Sequence, residues 1–544
     1  MVSLHIIQYI KQKKELNMAA KRILLVCIFQ MVVLSLCFGQ ELDLSSQLTK
    51  EQMYKDFDEF VQIVDSSTQT LVRKIATGYD AAEEIRQRRS QIEEINSYGE
   101  FLQFLNKCLP LTMCVHARMA TQYFSGSILD TQIVEPLYQA YEEYVNNIPF
   151  TNASLGNGFY YNGDYYFNGR HIFINIHTSD KIILTDFRLL KHNDEPVGSL
   201  KNSQITGRSH WYRWDYQLKQ YYHVYCPIIS GMDKITVEDY TTKKIVALDR
   251  KENRRMYSPS SLPEFDPSPL LDIDPSEWAE AKSKLFPQTK ESDNMKIRYY
   301  DSLHILYIYM DAMEYDSNFV DSIKKMKGKP IDKIIWDVRD NFGGTDWAWV
   351  SVLKAIVKDT IPAKYWIGFR NTSAMRRILE DYLKENPSDT IKHTIPYLDN
   401  TEFLTIVGKG ADIPDSNSLQ YDGKIYILQN EFVASSTGSL LANAKLFSQF
   451  VTVGVPTGNL MGVGINPAIF QLPESKFTFI MEACVDLTDC KAAIDVFHDR
   501  PAIEIYPTLE EIIEMNNYGY FLNKRGDEFL FKHDYLFKKV VEME

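Results

Sequence analysis

The chain is short of several things, and each shortage excludes a class of protein. Seven cysteines among 544 residues are too few for a disulfide-built scaffold. None is followed by a second Cys or His pair at the offsets that zinc sites use, so no metal is expected, and no motif implies an organic cofactor. Positive charge is in deficit: 59 Lys and Arg face 72 Asp and Glu, a formal net charge of −13, which does not suit nucleic acid. The apolar run Ile23–Phe38 has 16 residues, where a spanning helix wants about 20. No solenoid-type repeat and no low-complexity segment interrupts the chain.

What is present begins with an export-like leader. Lys21 and Arg22 precede Ile23–Phe38, which ends at the small residue Gly39, the order of a secretory signal. Cleavage after Gly39 is expected, with a retained anchor as the alternative. A lipid anchor at Cys37 is the lesser reading, because bulky Leu36 precedes it. Residues 1–17 read as an upstream extension, since Met18 sits just before the basic pair. Removal of residues 1–39 takes away five basic side chains and one acidic one, so the charge moves from −13 to −17. Of the five remaining cysteines, Cys108 with Cys114 and Cys484 with Cys490 are close enough in sequence to close short loops in an oxidising compartment, leaving Cys226 over; buried free thiols are the other reading.

Hydrophobic residues make up 45% and charged residues 24%, the usage of a soluble globular protein of several domains. Phe57, Phe60, Val61 and Val64 recur at helical spacing and predict an N-terminal helical region over 40–150. Clusters of Gly, Asn and Tyr then separate short apolar stretches, at Ile172–Ile176, Ile182–Leu184 and Ile245–Leu248, and predict a β-rich middle domain over 151–257. Pro and Ser between Ser258 and Pro275 mark a linker, 258–290. From 291 to 544 strands (Leu303–Met310, Lys333–Val338, Lys424–Leu428, Val451–Val453) alternate with helices (Ser317–Lys327, Trp347–Val357, Thr437–Phe447). That order implies a layered α/β domain with largely parallel pairing.

Two turns in this last region carry candidate chemistry. Asp337-Val338-Arg339-Asp340-Asn341-Phe342-Gly343-Gly344 follows a buried strand and opens a helix, so its glycines let the backbone approach a ligand. Alone it reads first as a structural turn between strand and helix. Asn430-Glu431-Phe432-Val433-Ala434-Ser435-Ser436-Thr437-Gly438 does the same after the next strand. A hydroxyl there is either a helix N-cap or a group held where an amide faces a developing oxyanion.

Together with Val453-Gly454-Val455-Pro456-Thr457-Gly458, these turns resemble the core of the tail-specific (carboxyl-terminal processing) peptidases, relatives of the tricorn core and of the interphotoreceptor retinoid-binding protein repeats. The similarity runs over Leu303–Glu511. It implies a ClpP/crotonase-like spiral of βα units, Ser435 as nucleophile, and an oxyanion hole made by the amides of Gly343 or Gly344 and of Ser436. The Ser-Lys branch of the family has a lysine where this chain has Leu460, and no lysine occurs between Lys445 and Lys476. The resemblance therefore points to the Ser-His-acid branch.

There the histidine falls on His116, in Met113-Cys114-Val115-His116-Ala117-Arg118, although Cys114-Val115 replaces the family's Asp-Gly. The acid falls on Asp495, six residues before Pro501-Ala502-Ile503, with Asp499 as runner-up. Phe187–Val197 resembles the strand and turn of a PDZ module without its carboxylate-binding loop, so an unrelated β module stays open. The implied activity is an exported serine peptidase, periplasmic, cell-surface or secreted, acting on peptides or proteins. Because Gly438 and Ala502 stand where the family has acidic residues, the alternative is an inactive peptide- or apolar-ligand-binding protein on the same scaffold.

Overall fold

The structure, a computed structural model, describes residues 48–120, 295–508 apart from 386–389 and 459–466, and 526–543, with Glu511, Met515 and part of 158–249. The leader, Cys37, Cys226 and the linker 258–290 lie outside the described residues. No described helix is long and apolar enough to cross a membrane.

Helices α1 (Lys50–Ser66), α2 (Thr68–Thr77), α3 (Ala81–Arg86) and α4 (Tyr98–Cys108) open the chain. Their ends are written into the sequence. Thr49 with Gln52, and Ser67 with Thr70 N–H, satisfy first-turn amides, and Ser97 with Glu100 forms a second capping box, each worth about 1 kcal/mol. Phe57, Phe60, Val61 and Val64 are all buried, as their 3.6-residue period requires. A two-residue strand follows, β1 (Arg118–Met119).

The middle segment holds β2 (Gly158–Asn162), β3 (Phe173–His177), β4 (Ile182–His192), β5 (Glu195–Pro196), β6 (Tyr212–Asp215), β7 (Gln220–His223), β8 (Lys234–Asp239) and β9 (Ile245–Asp249). Strands β2-β3-β4-β8-β9 form an antiparallel sheet, β5 folds back on β4, and β6 and β7 form a separate hairpin.

Beyond residue 294 come β10 (Met295–Tyr300), β11 (Ile305–Met310), α5 (Ser317–Lys324), β12 (Lys333–Asp337) and α6 (Asp346–Ile356). Next are β13 (Ile361–Arg370), α7 (Ser373–Glu385), β14 (Thr390–Ile395), β15 (Thr401–Asp412) and β16 (Ile425–Gln429). Then follow α8 (Ser436–Ala444), β17 (Phe450–Gly454), β18 (Ala468–Gln471), β19 (Thr478–Met481), β20 (Cys484–Asp486) and β21 (Ile503–Glu504). Two short helices, α9 (Asp527–Lys532) and α10 (Tyr535–Glu542), end the described chain.

Six strands in the order β10-β11-β12-β16-β17-β21 make the central sheet, parallel from β11 onward. The reason these strands read as unbroken apolar runs is that both faces are covered. Leu306, Ile308, Ile334, Trp336, Ile425 and Ile427 pack toward α5, α6 and α8. Their alternates Ile305, Tyr307, Ile335, Tyr426 and Leu428 pack toward Phe529, Leu536 and Phe537 of α9 and α10. Arg339, buried beneath the strand ends, binds both Asp337 and Asp534, while Asp534 caps α10 through the Leu536 and Phe537 amides. Removing one member of that triad would leave a buried charge uncompensated, about 3–5 kcal/mol.

The helical region does not stand apart. Its apolar faces share one core with β18 and β19, where Phe60 meets Phe479 edge-on at 5.1 Å. Strand β1 joins the same small sheet, order β1-β19-β18. A third sheet, β14-β15-β13-β20, is antiparallel. Cys108, Cys114, Cys484 and Cys490 are buried free thiols, so neither short-loop disulfide is formed.

Candidate active site

The turn after β16 places Ser435 at the N-cap of α8 with φ 52 and ψ −121. This is left-handed backbone, strained by about 1–3 kcal/mol for a residue with a Cβ. Surrounding bonds hold it: Ala434 N–H donates to Asn341 O at 3.0 Å, and Phe432 N–H to Asn430 Oδ1 at 3.2 Å. The Ser435 hydroxyl makes no capping bond, which removes the N-cap reading. It is turned instead toward an imidazole.

The glycine turn after β12 lies against this one. A Cβ on Gly343 (φ 98) would sit 2.7 Å from Ser435 Cβ, and one on Gly344 (φ 144) 2.3 Å from Met313 O. Nothing larger than hydrogen fits at either position. Polar bonds lace the two turns. Asp340 and Asn430 bond reciprocally at 2.9 and 2.7 Å, Thr437 Oγ1 donates to Asn341 Oδ1 at 2.7 Å, and Ser436 Oγ donates to Asp346 Oδ1 at 2.6 Å. Asn341 Oδ1 also accepts the Gly343 amide at 2.9 Å. That takes Gly343 out as an oxyanion donor. The Gly344 and Ser436 amides have no acceptor among the described residues, and Gly344 is exposed.

His116 arrives from the other end of the chain. Ala117 N–H closes a turn on Cys114 O at 3.0 Å, and β1 then pairs antiparallel with β19, Arg118 against Ile480 and Met119 against Phe479. Continuing that register two residues outward sets His116 opposite Glu482. The imidazole Nδ1 lies 2.5 Å from Glu482 Oε1, and its Nε2 lies 3.2 Å from Ser435 Oγ. Glu482 is fully buried, and its amide donates to Cys114 Sγ at 3.3 Å. A carboxylate that accepts at this contact requires the proton on Nδ1, and that tautomer leaves Nε2 with a lone pair toward the hydroxyl. Serine, histidine and carboxylate thus form one chain of hydrogen bonds, the arrangement that generates a nucleophilic alkoxide.

The acid expected at Asp495 is a correction. Asp495 is exposed in a 3-10 turn, Ala493–Phe497, and its carboxylate accepts the Lys491 and Ala492 amides at 3.0 and 2.8 Å. Counting back from Pro501 follows the chain, whereas the partner of His116 is set by strand register across 366 residues. Asp499 is not the partner either. It is buried and accepts from Tyr216 Oη (2.5 Å), Gly458 N (2.7 Å) and Thr457 Oγ1 (3.3 Å), with burial pushing its carboxyl up to about 6. The signal that marks Glu482 is its setting, a lone carboxylate inside the apolar run Phe477–Val485, where burial demands a partner. Among the described residues no group of three or more His, Cys, Asp or Glu could hold a metal ion.

Residues 304–478 match the model of Peptidase family S41. That span contains both turns and Ser435, but neither His116 nor Glu482. No curated protein matches the chain. Among solved structures, a mutant of CPAF is similar over 91% of this chain and 98% of its own, at 13% identity and a TM-score of 0.50. Mature CPAF covers 87% and 96% at 11% identity and a TM-score of 0.49. The photosystem II D1 C-terminal processing protease covers 88% and 98% at 10% identity and a TM-score of 0.35. At 13% identity the match with a TM-score of 0.50 speaks of fold alone, and the several sheets and flanking helices are consistent with an S41 α/β fold.

Proposed function

We propose, of a chain whose S41 domain makes it a serine-type peptidase, that Ser435 is the nucleophile, His116 the general base and Glu482 the carboxylate that orients it. Ser435 Oγ attacks the peptide carbonyl while His116 Nε2 takes its proton. The amides of Gly344 and Ser436, the latter at the positive end of α8, hold the negative oxygen of the tetrahedral intermediate. His116 then returns the proton to the leaving amine, and water admitted to the acyl-enzyme is activated by the same imidazole. Glu482, excluded from solvent, fixes the ring's tautomer and stabilises the imidazolium at each stage.

This reading assigns the chain to the Ser-His-acid branch, with the central sheet as a ClpP/crotonase-like spiral. The basic pair and apolar run ahead of Gly39 support export, so the peptidase acts outside the cytoplasm. The observation that carries the proposal is the relay Glu482–His116–Ser435, at 2.5 and 3.2 Å, assembled from both ends of the sequence. A fluorophosphonate probe tests it: labelling of the wild type is expected, and its loss in Ser435→Ala locates the nucleophile. A folded wild-type protein that resists the probe overturns the reading in favour of a non-catalytic binding protein.

A further inference from the structure

Phe342 occupies an unusual place. Its neighbour Asn341 is fully buried, yet Phe342 is 46% exposed. Its Cα is one residue, about 3.8 Å, from Gly343, which is packed so closely on Ser435 that no Cβ fits between them. Behind the ring stands Phe432, 4% exposed, with ring centroids 6.2 Å apart. Phe342 therefore packs on a buried ring yet keeps about half of its own surface open, in the turn that abuts the candidate nucleophile. A second exposed ring, Tyr315 at 50%, packs on Trp347 with centroids 6.0 Å apart. It lies two residues from Met313, which bonds Gly343 O and Thr345 N.

A polypeptide laid across this site must bring one carbonyl oxygen between the Gly344 and Ser436 amides. The side chains on either side of that carbonyl then fall within a few ångströms of the glycine turn, since an extended chain advances about 3.3 Å per residue. A half-wet aromatic surface there removes most water from an apolar side chain and gives a polar one no partner. Asp340 and Asp346 bracket the turn, and their charge opposes an acidic side chain.

Resting on the peptidase reading above, we infer that Phe342 determines specificity by receiving an aromatic or large aliphatic side chain of the substrate residue next to the scissile bond. The occupant is a segment of peptide substrate, because the ring sits in the glycine turn whose next residue, Gly343, is packed on Ser435.

The test uses the full chain and a series of internally quenched peptides that differ at one residue flanking the cleaved bond: Phe, Leu, Gly or Asp. For the wild type, kcat/KM with Phe or Leu is expected to exceed that with Gly by about 10-fold or more, with Asp lowest. In Phe342→Ala the Phe-to-Gly ratio should fall by about 10-fold, and Phe342→Leu should restore most of it. A wild type that cleaves all four peptides alike overturns the inference, as does a folded Phe342→Ala enzyme with the wild-type ratio. Peptide cleavage that persists in Ser435→Ala would instead overturn the peptidase mechanism itself, so the two failures are told apart.

Discussion

Ser435 stands in the turn after β16, a strand whose five residues are all buried and which pairs in parallel with β12 on one side and β17 on the other. His116 stands two residues before β1, a strand of two residues paired along one edge only. The first is mounted on a sheet covered on both faces. The second is positioned by a register between segments far apart in sequence, with the Cys114–Ala117 turn and the Glu482 carboxylate as its braces. A nucleophile under backbone strain needs a rigid bed, whereas a base that carries a proton in two directions is fixed by what its ring nitrogens touch. The S41 match at 304–478 covers the first half of the site and leaves out the second.

The sharpest way to break this comparison is to remove the ring. His116→Ala is expected to lower kcat by about 10⁶-fold, and Glu482→Gln, which keeps the shape but not the charge, by about 10⁴-fold. Steady-state kinetics with a quenched peptide reads both. Equal rates for Glu482→Gln and wild type would leave the buried carboxylate without the assigned role.

On the nucleophile side, Gly343→Ala drives a Cβ against Ser435 Cβ and Ala434 O, each at 2.7 Å, at a left-handed φ. It should cost about 1–3 kcal/mol of stability and slow fluorophosphonate labelling. Denaturant melts and labelling rates are the readouts, and wild-type values in both would mean that the two turns are not pressed together.

A smaller effect separates Asp499 from the triad. Its carboxyl is raised from 3.8 to about 6 by burial, so between those values the unfolded chain has lost this proton while the folded protein still holds it. Stability from this group is therefore full below pH 4, declines as pH rises toward 6, and is flat above. The decline amounts to about 3 kcal/mol. Asp499→Asn should lack it, seen as a difference between the two melting-versus-pH curves; parallel curves would refute it. The smallest effect is expected at Asp495→Asn. Activity should stay within about 2-fold and only a local cap is weakened, about 0.5–1 kcal/mol; a large loss of activity would restore it as the acid.

The nucleophile half was legible in the sequence because burial on both faces writes continuous apolar runs. The strands read at Lys333–Val338 and Lys424–Leu428 correspond to β12 and β16, and the helix read at Thr437–Phe447 to α8. The β13–β15 sheet went unread, since β14 has no regular burial period, with Ile395 its one buried residue, and its partners are fixed by tertiary pairing. His116 was reached through a resemblance, and the structure sets it against Ser435. Glu482 was missed because offsets along a chain carry no information about antiparallel register. Its apolar neighbours Met481 and Ala483 were the available clue.

The shared core of α1, α4, β18 and β19 has a consequence for biosynthesis. Phe57 and Phe101 pack on Phe104 within the helical region itself, but the cluster stays open on one side until residues 468–483 have left the ribosome, because Phe470, Phe479 and Met481 complete it. Closing a loop of this length costs only a few kcal/mol of chain entropy, but it has to wait for translation. The growing polypeptide therefore cannot assemble Glu482, His116 and Ser435 into a relay before most of it has been made, and a half-finished chain is a protease in parts only.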